Sequence, residues 1–188
     1  MKFSLKKTQL SPLQQITFAG ALLAICLASQ FFKNLNVYIT GPIVNAALII
    51  AAIYCGPIYA SILALITPIT AFFIASAPVM QAVPGIIPCI MLGNLCLVFM
   101  VLLFEDTFKN KTVSLTFSIV MGALIKGIVM GILISLIILP VFLPQKMRPK
   151  MNVLQLQFSL VQLTTALIGG VYALIINFAL KKAIKNVN

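Results

Sequence analysis

Few residues in this chain are equipped for chemistry, and the most conspicuous is Lys126. It stands inside "MGALIKGIVMGILIS" (121–135), an otherwise almost wholly apolar stretch. A lysine at the centre of a membrane helix costs about 2.5–3.5 kcal/mol on the insertion scale, so something must offset it. The only side-chain carboxylates, Glu105 and Asp106, sit side by side in a polar segment between apolar runs, so an internal salt bridge is not expected. Three arrangements remain. Lys126 snorkels up a polar cavity; or it hydrogen-bonds, as a neutral amine, to amides such as Asn94 or Gln162; or it meets an anionic ligand.

Other polar side chains lie within the apolar runs. Gln155, Ser159 and Gln162 fall at i, i+4 and i+7, which places them on one face of a predicted helix that continues through Ala166 to Gly169. Asn94 stands near the middle of its run, Asn45 and Gln30 near the ends of theirs, and Thr67 and Thr70 between middle and end. Most of these depths lean toward one end of the predicted bundle, with Thr17 and Asn177 as exceptions. A pocket open at that end follows, ringed by segments 33–41, 76–88 and 140–151. The ordinary alternative for each group is an interhelical tie, worth about 1 kcal/mol or less.

Several chemistries are not supported. Cys26, Cys55, Cys89 and Cys96 lie in or beside apolar runs, with no CxxC pair and no histidine in the chain. They read as small hydrophobic residues rather than zinc ligands. There is no G-x-x-x-x-G-K-[ST] phosphate loop and no H-E-x-x-H. A catalytic centre would rest on Ser, Thr, Cys or Lys126 alone, so neither an enzyme nor a resident cofactor or metal is expected. No buried acid is available for a proton or sodium relay.

The elements that position these residues are membrane helices. The chain has 188 residues, 62% of them hydrophobic, and a mean hydropathy of +1.16. Apolar runs approach the ~20 residues needed to cross a bilayer. The expectation is an all-α membrane protein, a single compact domain over 1–188 with helices at about 11–32, 41–54, 57–75, 84–104, 113–139 and 152–180. Ser11-Pro12 predicts an N-cap followed by proline at the first helical position, "CGP" (55–57) a tight turn, and Pro68 a kink. The first run lacks a clean small-x-small site and is read as a retained helix.

Net charge is +11. With both termini cytoplasmic, the inner segments hold eight basic residues (Lys2, Lys6, Lys7, Lys109, Lys111, Lys181, Lys182, Lys185) and the outer ones four (Lys33, Lys146, Arg148, Lys150). The excess follows the positive-inside rule for a multi-pass plasma-membrane protein. No basic stripe interleaved with aromatics supports nucleic-acid binding. Small residues mark close approaches: Gly20, Ala24 and Ala28 in helix 1, Gly127 and Gly131 in helix 5, Gly169 and Gly170 in helix 6. The last two sets suit packing within the bundle, and the first is also suited to docking on another membrane protein.

Taken with "AxxxA" (Ala24 to Ala28), "GPIVNA" at the entry to helix 2, "MLGN" (91–94), the lysine of helix 5 and "QLTTALIGG" (162–170), the chain resembles the S components of energy-coupling factor (ECF) vitamin transporters. The resemblance spans the whole chain. It implies a subunit that captures a vitamin from outside, with a transmembrane coupling subunit and two ATPase subunits as partners. It implies that Gly20, Ala24 and Ala28 face the coupling subunit. It implies a substrate pocket in the outer half, which selects Asn94, Lys126, Gln155, Ser159 and Gln162, with Asn45 beside them. Such a pocket offers amides, a hydroxyl and one ammonium, and no acid, so a cation such as thiamine would lack a counter-ion. An anionic or neutral molecule fits better, and a small carboxylate such as pantothenate or nicotinate is the expected type. The alternative is a self-sufficient six-helix carrier or channel.

Overall fold

Capping residues and reversals cut the apolar runs into helices. The computed structural model describes residues 10–32 and 36–187, with side chains as far as residue 182. Lys2, Lys6, Lys7 and Lys33 lie outside the described residues, as does the side chain of Lys185. Helix α1 (Pro12–Gln30) begins as expected: Ser11 Oγ accepts from Gln14 N at 3.4 Å while Ser11 N donates to Gln14 Oε1 at 2.8 Å. Helix α2 (Val37–Ala75) starts earlier than position 41, because Asn36 Oδ1 accepts from Tyr38 N at 2.8 Å and caps it there.

The "CGP" turn is sharper than a loop. Only Gly56 leaves helical geometry, at φ 80°, ψ −178°, a conformation open essentially to glycine alone. It divides α2 into two arms, 37–55 and 57–75. On a straight helix Asn45 and Ala64 would stand about 28 Å apart. Instead they join one short chain of bonds, Asn45 to Lys126 to Asn94 to Ala64. The arms are therefore antiparallel. Five helical stretches are long and apolar enough to span a membrane, and the 39-residue one folds back at Gly56. The result is an all-α membrane bundle of six long helices.

After the short α3 (Pro78–Ala82) comes α4 (Ile86–Phe104). Helix α5 (Lys111–Met130) is capped by Asn110, whose Oδ1 accepts from Thr112 N and Val113 N at 3.0 and 3.3 Å. It runs through a π-helical stretch, Gly131–Ile138, into α6 (Leu139–Phe142), longer than the expected 113–139. A 3₁₀ turn, Gln145–Lys150, leads to α7 (Met151–Phe158) and α8 (Leu160–Val187). The predicted continuous helix 152–180 is thus corrected to two. At Ser159 the backbone turns to φ −118°, ψ −88°, Ser159 Oγ donates to Gln155 O at 2.6 Å, and Ser159 O accepts the first bond of α8, from Leu163 N at 3.1 Å.

One end of the bundle gathers the start of α1, the Gly56 reversal and the end of α8. Phe18 meets Tyr54 edge-on with ring centroids 6.0 Å apart, and Tyr54 Oη donates to Asn177 Oδ1 at 2.8 Å. A core including Leu48, Ile49, Leu97 and Val98 fills that half. A second core including Met80, Ile86, Met130 and Ile134 lies toward the opposite end. Glycines set the closest helix approaches. A Cβ on Gly127 would lie 3.1 Å from Leu163 Cβ, one on Gly131 3.3 Å from Ser159 Cβ, and one on Gly170 would collide with Ile119. Helices α5 and α8 accordingly pack through small residues, as their sequence suggested. Exposed Ile58, Phe73, Leu136 and Phe178 belong to an outer surface suited to lipid.

Candidate functional site

Lys126 is 3% exposed. Its Nζ donates to Asn45 Oδ1 at 2.6 Å and to Asn94 Oδ1 at 2.7 Å. Lysine only donates, so oxygen must face it on both amides. Asn94 Nδ2 in turn donates to Ala64 O at 3.3 Å, which agrees with that orientation. Four helical segments are joined in this way: both arms of α2, α4 and α5. The amide oxygens supply the offset that a buried lysine demands. Of the two amides expected beside Lys126, Asn94 is present, and the place expected for Gln162 is taken by Asn45. Glu105 and Asp106 are remote, since the loop that carries them joins the start of α5, about 20 Å of helix before Lys126.

Glycines make the cluster possible. A Cβ on Gly93 would lie 2.7 Å from Met130 Cγ and 3.5 Å from Lys126 Cγ, so the glycine makes room for Met130, with the lysine stem in ordinary contact beside it. A Cβ on Gly169 would lie 2.7 Å from both Asn45 Cβ and Pro42 O, so α8 presses directly on the turn that carries Asn45.

Lys126, Asn45, Asn94 and Gln162 line a partly open cavity of about 110 Å³, at the end away from Tyr54 and Asn177. One water needs only ~10–15 Å³ by such a measure, so the space suits a small organic molecule. Gln30, Thr40, Thr67 and Gln157 add polar groups, and Val44, Met80, Ile90 and Phe158 add apolar surface. No carboxylate and no aromatic ring other than Phe158 lines it among the described residues.

Two residues expected in the site are not at the cavity. Gln155 Nε2 donates to Ser135 O and Ser135 Oγ donates to Gln155 O, both at 2.9 Å, which ties α7 to the π-helical stretch. Ser159 Oγ is spent on Gln155 O. The break at Ser159 explains this, because i, i+4, i+7 spacing shares a face only along an unbroken helix. Gln157 takes the place at the cavity instead, with Gln162 Nε2 donating to its carbonyl at 3.4 Å. Gln30, Thr40 and Thr67 were also missed as site residues, and the outward lean of polar depth was the available signal for Gln30 and Thr67.

The small residues of α1 face away from the bundle. Gly20, Ala24 and Ala28 are exposed, and a Cβ on Gly20 would meet nothing within 4 Å. The family model described as "ECF transporter, substrate-specific component" matches residues 14–184. No curated protein and no solved structure gave a match.

Proposed function

The chain belongs to the family of ECF transporter substrate-specific components, and from that premise we propose that the cavity beside Lys126 is where it captures its substrate. Membership makes it a multi-pass membrane transport subunit rather than an enzyme, working with an ECF module of coupling and ATPase subunits on a small-molecule substrate.

The observation that carries the reading is Lys126, buried in a cavity wall that contains no carboxylate among the described residues. As an ammonium it has three N–H donors, of which Asn45 and Asn94 take two. The third is available to a substrate acceptor. The substrate is therefore an anionic or neutral small molecule, such as a carboxylate vitamin, held by Lys126, Asn94, Asn45 and Gln162. Gln155 and Ser159 are left out, because their polar groups are spent between α7 and the π-helical stretch.

The cavity end faces outward and both termini are cytoplasmic. The eight-to-four distribution of basic residues supports this orientation. Lys146, Arg148 and Lys150, exposed in the turn before α7, raise the local concentration of anions near the cavity. The exposed face of Gly20, Ala24 and Ala28 docks on the coupling subunit, close backbone approach being what small residues permit.

Purified protein in lipid nanodiscs tests the site. Wild type is expected to co-purify with a small molecule that Lys126→Met no longer retains, both proteins being folded. Retention equal in the two refutes the site. Uptake by proteoliposomes holding this chain alone points instead to a self-sufficient carrier.

A further inference from the structure

Gln30 ends α1 at the cavity and is 1% exposed. Its Nε2 donates to Thr67 O at 3.0 Å and to Thr70 Oγ1 at 3.1 Å. A backbone carbonyl can only accept, so the amide nitrogen must face α2 and the orientation of the side chain is fixed by chemistry. Gln30 Oε1 is then the atom left over, and it has no hydrogen-bond partner among the described residues. Buried polar atoms in folded proteins are nearly always paired, so an exception in a cavity wall calls for a partner from the cavity.

The position of Gln30 relative to Lys126 follows from the second arm of α2. Asn94, which holds Lys126, is tied to Ala64 O, and Gln30 is tied to Thr67 O. These carbonyls are three residues apart, about 4.5 Å along the helix axis. The wall thus presents donors from Lys126 and the unpaired, buried acceptor of Gln30, their anchors on α2 about one helical turn apart.

We propose that Gln30 is a specificity-determining residue, its Oε1 accepting an O–H or N–H of the substrate while Lys126 takes a carboxylate or other acceptor. The proposal rests on the cavity being the substrate site and narrows what it admits. A hydroxy acid or an amide-bearing acid satisfies both groups. Pantothenate carries a carboxylate, hydroxyls and an amide N–H. Nicotinate carries a carboxylate and a ring nitrogen that only accepts, and would leave Gln30 Oε1 buried without a donor. A substrate that displaces water from Oε1 without replacing its hydrogen bond binds less tightly.

The test begins with mass spectrometry of the compound released from denatured wild-type protein in lipid nanodiscs. That compound and its analogue methylated at the donor are then titrated into wild type, Gln30→Met and Thr70→Val. The compound is expected to carry an O–H or N–H. Methylation is expected to weaken binding to wild type about tenfold or more, from loss of a hydrogen bond to a buried acceptor, and to Gln30→Met far less. Thr70→Val removes one anchor of the amide and leaves Oε1, so it is expected to keep the discrimination. A compound without a donor, or a methylation penalty that persists in Gln30→Met, overturns the role of Gln30. Should Gln30→Met fail to fold, the wild-type pair still decides, because the absence of any penalty overturns the proposal. Equal release from wild type and Lys126→Met, nothing from either included, instead overturns the cavity reading and the proposal with it.

Discussion

Lys126 Nζ and Asn45 Oδ1 lie 2.6 Å apart although 81 residues separate them in the chain. Asn94 Oδ1 completes the clamp at 2.7 Å. The three side chains form one unit, so their substitutions are not expected to add. Asn94→Leu leaves a buried ammonium with one protein acceptor and is expected to cost about 2–3 kcal/mol. Lys126→Met removes the charge and leaves two amide oxygens without their donor, at about 1–2 kcal/mol. The double variant is expected to be at least ~1 kcal/mol more stable than the sum of the two losses predicts. Unfolding of the four proteins in mixed micelles reads the coupling, and strict additivity contradicts a shared clamp.

The clamp also depends on how closely α8 approaches it. A methyl group on Gly169 would lie 2.7 Å from Pro42 O, and backbone cannot move aside as a side chain can. Gly169→Ala is expected to destabilise by about 1–3 kcal/mol through overpacking and to weaken substrate binding by shifting Asn45. Gly20→Ala is the control, since its methyl group meets nothing within 4 Å and its effect on stability is expected to be within about 0.5 kcal/mol. Thermal unfolding with and without the co-purified compound compares them.

These two glycines show how far sequence reasoning reaches. Apolar runs, Ser11-Pro12 and "CGP" located the six helices because hydropathy and capping are local properties. The chain reversal at Gly56 was legible for the same reason, its conformation requiring glycine. Asn45 as the partner of Lys126 was not, because nothing in the spacing of two residues on different helices records which faces meet. The break at Ser159 was hidden too: no glycine or proline stands between Gln155 and Gln162 to announce it. The π-helical stretch Gly131–Ile138 changes the helical register inside a run of nearly uniform hydropathy, so it leaves no compositional trace.

The broken helix gives a prediction opposite to that of the i, i+4, i+7 pattern. Gln155 and Ser135 exchange two hydrogen bonds at 2.9 Å, each using one side chain and one backbone carbonyl. Gln155→Leu removes one of them and is expected to cost about 1 kcal/mol of stability, with substrate affinity changed less than about threefold. Gln162→Leu removes a cavity-lining amide and is expected to weaken binding by about tenfold, with little loss of stability because the side-chain bond to Gln157 O is long at 3.4 Å. Titration of the co-purified compound into both variants separates the two roles, and equal losses would contradict the division made at Ser159.

The exposed face of α1 makes a prediction about assembly alone. Ala24 is exposed one turn from Gly20 and one turn from Ala28, on the side of α1 away from the cavity-lining Gln30 network. Ala24→Leu adds a side chain where the bundle has open space, so folding and substrate retention are expected to be unchanged. A close helix contact with the coupling subunit has no room for it, because such contacts depend on small residues that let backbones approach. Co-expression with an ECF module is therefore expected to yield at least tenfold less complex with Ala24→Leu than with wild type, and ATP-driven uptake is expected to fall with it. Ile25→Ala, on the same helix and exposed but turned about 100° round the axis from Ala24, serves as the comparison. Complex formation that survives Ala24→Leu places the docking surface elsewhere on the bundle, while loss of substrate retention shows that this face serves the fold rather than the partner.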